Sequence, residues 1–151
     1  IALVLAILMW WKEAGVFVFP EDWEWIKVAG GYLWHLDHVP ETGKYNPGQK
    51  MFFLTVALFG LLMVFTGFFM WYPEKFPFGA NLLDWVYTLH VLGFVVIFSF
   101  FFVHLYLGTI GNPGSLSAML SGKMELPVAR MLHPKWVKEM EHEGKLMIEK
   151  K

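Results

Sequence analysis

The stretch "LHVLGFVVIFSFFFVHLY" at residues 89–106 is almost wholly apolar and has no Asp, Glu, Lys or Arg, yet it contains His90 and His104. A membrane-spanning helix needs about 20 consecutive, mostly apolar residues. An ionisable side chain within such a helix usually faces the interior of a helical bundle and marks a functional site. The stretch therefore predicts a transmembrane helix, over residues 85–110, that carries two functional imidazoles.

The spacing of the two histidines indicates what they hold. Fourteen residues in a helix fall about 40° short of four full turns, so both rings lie on nearly one face, about 21 Å apart along the axis. Neutral imidazole is a natural axial ligand for haem iron. Two cofactors at these depths form an electron path across most of a hydrocarbon core about 30 Å thick. We interpret His90 and His104 as haem b ligands. Hydrogen bonding between helices is the alternative, and a proton relay is disfavoured because no Asp or Glu lies in the span.

Composition limits the possible functions of the chain. Of its 151 residues, 56% are hydrophobic, above the usual share of about 45–50% for soluble domains. It has no cysteine, so the chain itself supplies no thiolate ligand for haem or for an iron–sulfur cluster. Its net charge of −1 gives no indication of a nucleic-acid partner.

Two further apolar segments complete the predicted fold. Residues 51–72 have no charged side chain over 22 positions and predict a second complete transmembrane helix. Residues 1–11 are apolar but too few to span, and we interpret them as the end of a helix whose beginning precedes this sequence. The fold class is thus an all-α, integral-membrane helical bundle, of which about one and a half N-terminal helices are missing from this chain.

Lysine and arginine set the expected orientation. The connection 73–84 has one such residue, whereas the segments 12–50 and 111–151 have four and seven. The positive-inside rule puts these two segments in the cytoplasm and the connection outside. Within them, "PEDWEWIKVAGGYL" predicts a short amphipathic helix, and "HPKWVKEMEHEGKLMIEKK" predicts a solvated or surface-lying one. The histidines outside the spans are expected to face solvent or to form hydrogen bonds: His35, His38, His133 and His142.

Several motifs together resemble a known family. "GKYNPGQKMFF" at 43–53, "TGFFMWYP" at 66–73, "VHLYLGTIGNPGSLSAMLSGK" at 103–123 and "HPKWVKEM" at 133–140, together with the paired histidines, are similar to the gamma subunit of respiratory formate dehydrogenase. That subunit is a four-helix membrane cytochrome b with two b haems. The resemblance covers residues 43–140 well, and the "KYNPGQK" and "HPKW" motifs distinguish it from the similar cytochrome b of nickel–iron hydrogenase.

The resemblance implies specific roles. His90 would ligate the haem nearer the periplasm and His104 the haem nearer the cytoplasm, with partner ligands on the first two helices of the family. A menaquinone or ubiquinone would bind beside the inner haem, lined by Asn46 and Gly48, although Pro47 departs from the small residue common in the family. From the residues alone, the favoured interpretation of this cluster is a polar helix cap, with Lys50 extending to lipid headgroups. The resemblance reverses that preference for Asn46 and Gly48 and leaves Tyr45, Gln49 and Lys50 open.

The expected protein is a multi-pass subunit of the bacterial cytoplasmic (inner) membrane. It would take electrons from an iron–sulfur beta subunit and pass them to a quinone, while a molybdenum or tungsten alpha subunit oxidises formate, since this chain has no site for that reaction. Whether the chain is itself an enzyme depends on its quinone-reducing site. The alternatives are the cytochrome b of a nickel–iron hydrogenase or another molybdoenzyme, and a haem-free membrane anchor.

Overall fold

The computed structural model describes residues 1–32, 38–76 and 79–146 of the chain, and every regular element within these ranges is helical. The predicted all-α fold is therefore confirmed for this part of the protein. The two long helices are α3 (Pro47–Trp71) and α4 (Ala80–Tyr106). The shorter helices are α1 (Ala2–Ala14), α2 (Glu21–Lys27), α5 (Ser115–Ser121), α6 (Leu126–Leu132) and α7 (Pro134–His142).

Helices α3 and α4 form an antiparallel hairpin that organises the protein. Near the connection, a Cβ atom added at Gly67 would contact the His90 ring at 3.4 Å. In the middle, a Cβ at Gly93 would lie 3.0 Å from the sulfur of Met63, so this glycine lets the two helices approach closely. The hairpin thus holds one end of α4 against the C-terminal half of α3 and the other end against its beginning.

Both long helices contain the predicted spans but begin earlier. Asn46 caps α3, and Pro47 occupies the first helical position, where its missing N–H is no loss. Helix α3 therefore begins at Pro47, four residues before the span predicted at 51–72, and ends at Trp71. Helix α4 begins at Ala80 rather than at residue 85, and a five-residue π-helical turn, Leu107–Gly111, extends it to the "GNPG" stop.

The apolar surface of the hairpin faces outward. The helices Pro47–Trp71 and Ala80–Gly111 are each long and apolar enough to cross a membrane, with a mean hydropathy of 2.3. Only Val86 and Gly93 are buried in α4, while side chains such as Phe94 and Phe102 are about half exposed. The core helix of a soluble protein would instead bury this surface. An apolar exterior of this extent is what a lipid bilayer covers.

The remaining helices cluster at the His104 end of the hairpin. Helix α1 packs along α3, where Leu3 lies against Gly60 and Trp11 contacts Phe53 edge to face. Helix α2 begins directly after Pro20, and Gly30 and Gly31 follow it with positive φ, as predicted for the end of this amphipathic segment.

The polar tail contains a helix, α7, within the segment predicted as a solvated or surface-lying helix, and only Val137 of α7 is buried. The tail forms the three short helices α5 to α7, which fold back toward the start of α3. The glycines Gly114 and Gly122, both with positive φ, bound α5 and permit these reversals.

Candidate cofactor and quinone site

A cavity of about 500 Å³ opens beside His104, where α2, α3, the end of α4 and the tail converge. Its volume lies within the range of about 300–1,000 Å³ that is typical of small-molecule sites. Most of its walls are apolar, including Trp25, Phe52 and Met119. The polar side chains that line it are Tyr32, Asn46, Gln49, His104, Asn112, Ser115 and His133. Such a cavity suits a flat apolar molecule with a few polar atoms.

His104 stacks on Phe52 of α3. The two ring centroids are 4.2 Å apart and the rings are within 5° of parallel, so the imidazole plane is fixed by this contact. The His104 ring has no hydrogen bond to any residue in the described parts of the chain, and its side chain is exposed. Both ring nitrogens are therefore available to a metal or a ligand.

His90 is held by Thr66 of α3, at the opposite end of the hairpin. Thr66 Oγ1 donates its proton to the carbonyl oxygen of Leu62 at 2.7 Å, and the same oxygen lies 2.8 Å from His90 Nδ1. Because the hydroxyl has only one proton, Nδ1 must carry a hydrogen and donate it to Thr66. The lone pair of the neutral ring is therefore on Nε2, which is the form of histidine that ligates a metal.

Asn46 and Gln49 form a reciprocal cap at the start of α3. Asn46 Oδ1 accepts from the backbone N–H of Gln49 at 2.9 Å, and Gln49 Oε1 accepts from the backbone N–H of Asn46 at 2.9 Å. The cap interpretation of this motif is therefore correct, but it does not exclude a ligand role. The side-chain NH₂ groups of both amides stay available, and both residues line the cavity.

Gly48 lies against the Trp25 ring that walls the cavity. A Cβ atom added at this position would be 3.1 Å from Trp25 Cη2, so glycine allows the indole to lie close to the start of α3. Gly48 itself lines the cavity, where its lack of a side chain leaves room for a ligand.

Lys50 does not extend to lipid headgroups. Its Nζ donates to Asp22 Oδ2 at 2.6 Å, and both side chains are about nine-tenths buried. The same carboxylate oxygen accepts the backbone N–H of Val18 at 2.6 Å. This ion pair fixes α2 to α3 and thereby holds Trp25 at the cavity.

The tail is fastened to residues 41–43 by a set of contacts that we call the loop–tail clasp, formed by residues 41–43 and 132–138. Thr42 Oγ1 donates to the Leu132 carbonyl at 2.7 Å, and Lys135 N–H donates to the Thr42 carbonyl at 3.1 Å. Lys138 Nζ donates to both carboxylate oxygens of Glu41, at 2.9 and 3.0 Å. The Lys138 hydrogen bond holds the pKa of the exposed Glu41 carboxyl below its usual value.

His133 is part of this clasp and reaches the cavity. Its Nδ1 lies 3.0 Å from the carbonyl oxygen of Gly43, and its ring is half-buried and edge-on to Trp136. The prediction that this histidine forms a hydrogen bond is correct, but its position in the cavity wall was not predicted. The "HPKW" motif marked the segment that contains His133. Nothing local in the sequence, however, indicates that this segment contacts residues ninety positions earlier in the chain.

The predicted site residues thus divide into two groups. His104, Asn46 and Gly48 line one cavity, whereas His90 lies near the other end of the same continuous helix, about 21 Å away by helical rise. His38 is exposed, and His35 lies outside the described residues. The roles predicted for His90, His104, Asn46 and Gly48 stay predictions.

The residues present suit a b-type haem as one half of its ligand set. His90 presents a lone-pair Nε2 and His104 two unpaired nitrogens, each on a helix of the apolar hairpin. Within the described ranges, no group of three or more His, Cys, Asp or Glu side chains could together hold a metal ion. A single imidazole at each depth is the donor set that haem accepts from one helix, with the second axial ligand from elsewhere.

The sequence matches known proteins in agreement with this geometry. A model of the family described as prokaryotic cytochrome b561 matches residues 1–122. The nitrate-inducible formate dehydrogenase cytochrome b556(Fdn) subunit of Escherichia coli K12 is 28% identical over 106 residues, which are 68% of this chain and 48% of that protein. The cytochrome b556(fdo) subunit of formate dehydrogenase from the same strain is 30% identical over 69% of this chain and 49% of its own length.

A third relative is matched over more of the chain. The formate dehydrogenase cytochrome b556 subunit of Haemophilus influenzae is 30% identical over 143 residues, or 91% of this chain and 58% of that protein. The chain thus spans about half the length of the curated relatives it matches. These relatives confirm the resemblance to the gamma subunits of formate dehydrogenase, and the family is one of haem b proteins of membranes. The chain therefore belongs to the prokaryotic cytochrome b561 family and is a membrane cytochrome b.

Proposed function

We propose that this chain is the dihaem cytochrome b subunit of a membrane-bound formate dehydrogenase. In this proposal, His90 and His104 each supply one axial ligand to a b haem, and electrons pass along α4 toward the cavity, where a quinone is reduced. The observation that carries the proposal is the pair of imidazoles on one continuous helix. One has its tautomer set for ligation, and the other opens onto a cavity.

We propose two partner subunits, and the relatives' names, each a subunit of formate dehydrogenase, support a complex of several subunits. An iron–sulfur subunit would deliver electrons near His90, and a molybdenum or tungsten subunit would oxidise formate. The described residues contain no cluster of ligands for either centre. The haems supply reversible one-electron transfer when bound, and this chain orients them through Thr66 and Phe52.

We further propose that the cavity lies toward the cytoplasm. The charge asymmetry of the segments supports this orientation, because the two lysine-rich segments meet around the cavity and the lysine-poor connection lies at the other end of the hairpin. Protons for quinone reduction would then come from the cytoplasmic side. Asn46 would donate a hydrogen bond to the quinone, and Gly48 would leave space for its ring.

The proposal is tested by His104→Ala in the full membrane complex, with His142→Ala as the matched control on an exposed helix position. We expect His104→Ala to lose one of two b-type haem signals and to abolish quinone reduction, while formate oxidation with an artificial acceptor continues. The control should retain both signals. A complex without any b-type absorption would support the haem-free anchor instead, and reduction of the haems by H₂ but not by formate would support a hydrogenase partner.

The quinone contact has a test of its own at Asn46. Asn46→Asp keeps the oxygen that caps α3 but removes the amide donor, whereas Asn46→Ala removes both. We expect the aspartate variant to raise the KM for quinone while haem content stays normal. The alanine variant should in addition lose about 1 kcal/mol of stability from the missing cap. An unchanged KM in the aspartate variant would show that Asn46 is only a cap.

A further inference from the structure

Quinone reduction consumes protons, and the cavity has few groups that can provide them. Among the described polar side chains that line it, Asn46, Gln49, Asn112 and Ser115 do not titrate near neutral pH. The titratable ones are His104, Tyr32 and His133. His104 is the iron ligand in the proposed function, and histidine serves as a general acid far more often than tyrosine.

We propose that His133 is the proton donor to the quinone bound in this cavity, an inference that rests on the proposed function. Its Nδ1–H donates to the Gly43 carbonyl at 3.0 Å, which fixes the tautomer and leaves Nε2 as the nitrogen that takes up and releases a proton. Nε2 has no hydrogen-bond partner within the described residues. Histidine is the side chain most often used as a general acid in enzymes.

The loop–tail clasp gives His133 a fixed position. The contacts on either side of it, from Thr42 to Leu132 and from Lys135 to Thr42, hold the backbone of the tail against the loop. The charged side chains around it are directed elsewhere, because Glu41 is paired with Lys138 and Lys135 is exposed. No ion pair therefore competes for the His133 ring, and its edge contact with Trp136 limits rotation.

The proposed step balances as a two-electron, two-proton reduction. Two electrons from the reduced donor chain enter the quinone, the Nε2–H bond of protonated His133 breaks, and an O–H bond forms at one quinone oxygen. The second proton comes from water at the cavity mouth. Neutral His133 then regains its proton from solvent on the outer side of the tail, since the ring is only half-buried.

The test uses His133→Gln in the full complex, with His142→Gln as a matched control on α7. We expect kcat for quinone reduction to fall about 100-fold, the low end of the range for losing a general acid, with little change in KM. The pH profile of the remaining activity should lose its histidine-like inflection. Reduction of the haems by formate in the absence of quinone should proceed as in the wild type.

A second variant separates chemistry from structure. His133→Ala leaves space where the ring was, and added imidazole should restore quinone reduction in this variant but have no effect on the wild type. A wild-type rate and pH profile in His133→Gln would overturn the inference alone. Failure of imidazole to restore activity, or loss of haem reduction in both variants, would assign His133 a structural role and also overturn it. A wild-type complex without b haems would overturn the proposed function and this inference together.

Discussion

Replacing Thr66 by valine tests the assignment of His90 through the side chain that holds its ring. Thr66 is 5% exposed, and its hydroxyl accepts the Nδ1–H of His90 at 2.8 Å. Valine keeps the branched shape and a similar helix propensity but cannot accept this hydrogen bond. The variant would leave a buried N–H group without a partner, which costs about 1–3 kcal/mol.

The cost is expected to appear in haem binding and in redox potential. At about 1.4 kcal/mol for each factor of ten, it corresponds to about 10–100-fold weaker retention of the haem at His90. The same range is typical for loss of a group that orients a metal ligand. If His90 ligates a haem, the Thr66 acceptor would make the imidazole more basic and would favour the oxidised iron. Its removal should shift one midpoint potential positively by tens of millivolts, given about 59 mV per factor of ten for one electron.

The assay is a redox titration of the b-type bands, together with a count of haem per purified complex. Thr66→Ser is the matched control, because it retains the hydroxyl and should leave both midpoints unchanged. Only one of the two potentials should move in Thr66→Val, since His104 lies about 21 Å away. Unchanged haem content and potentials in Thr66→Val would refute both the tautomer argument and the ligand role of His90.

Three other changes have expected outcomes. Lys50→Met should destabilise the protein by about 3–5 kcal/mol, because it leaves the buried Asp22 carboxylate unpaired. Thermal unfolding measures this loss of stability. Adding Asp22→Asn to the Lys50→Met variant should recover part of the lost stability. Gly30→Ala should lower stability and weaken quinone binding for two reasons: the new Cβ would lie 2.1 Å from the Trp25 ring, and the backbone at Gly30 has a φ of +60°. An unaltered KM for quinone and an unaltered melting temperature would contradict this reasoning. Acidification should weaken the Glu41–Lys138 part of the clasp, because a carboxyl with a lowered pKa stabilises the fold above its unfolded value of 4.5 and loses that contribution as the pH falls through the lowered value. Limited proteolysis of the tail at falling pH should show a small rise in cleavage, and Glu41→Gln should reduce this pH dependence.

The sequence predicts the long helices well because their signals are local. The uncharged run of α3 and the histidine-bearing run of α4 are readable from hydropathy alone. The helices begin before these apolar runs because Asn46 and Pro47 act through cap geometry and Ala80 follows a glycine without any apolar signal. Hydropathy marks the membrane core, whereas the helices extend beyond it.

The candidate site was predicted only in part, and the reason is distance along the chain. Asn46 and Gly48 share a cavity with His104, as the resemblance implied. The contribution of His133 depends on hydrogen bonds between residues ninety positions apart, which no periodicity encodes. Similarly, the interpretation that Lys50 extends to lipid headgroups was wrong because its ion-pair partner, Asp22, lies on a separate helix. The sequence does not show that these two helices are in contact.

The loop–tail clasp has a consequence for how the protein is made. The hairpin of α3 and α4 is formed from neighbouring segments and can insert as soon as residue 106 has been synthesised. The clasp joins residues 41–43 to residues 132–138, so the wall of the cavity that contains His133 is completed only after residues 132–138 have left the ribosome. The hairpin can therefore enter the membrane before the cavity beside His104 is closed. Nascent chains stalled before residue 132 should reach the membrane yet bind no quinone.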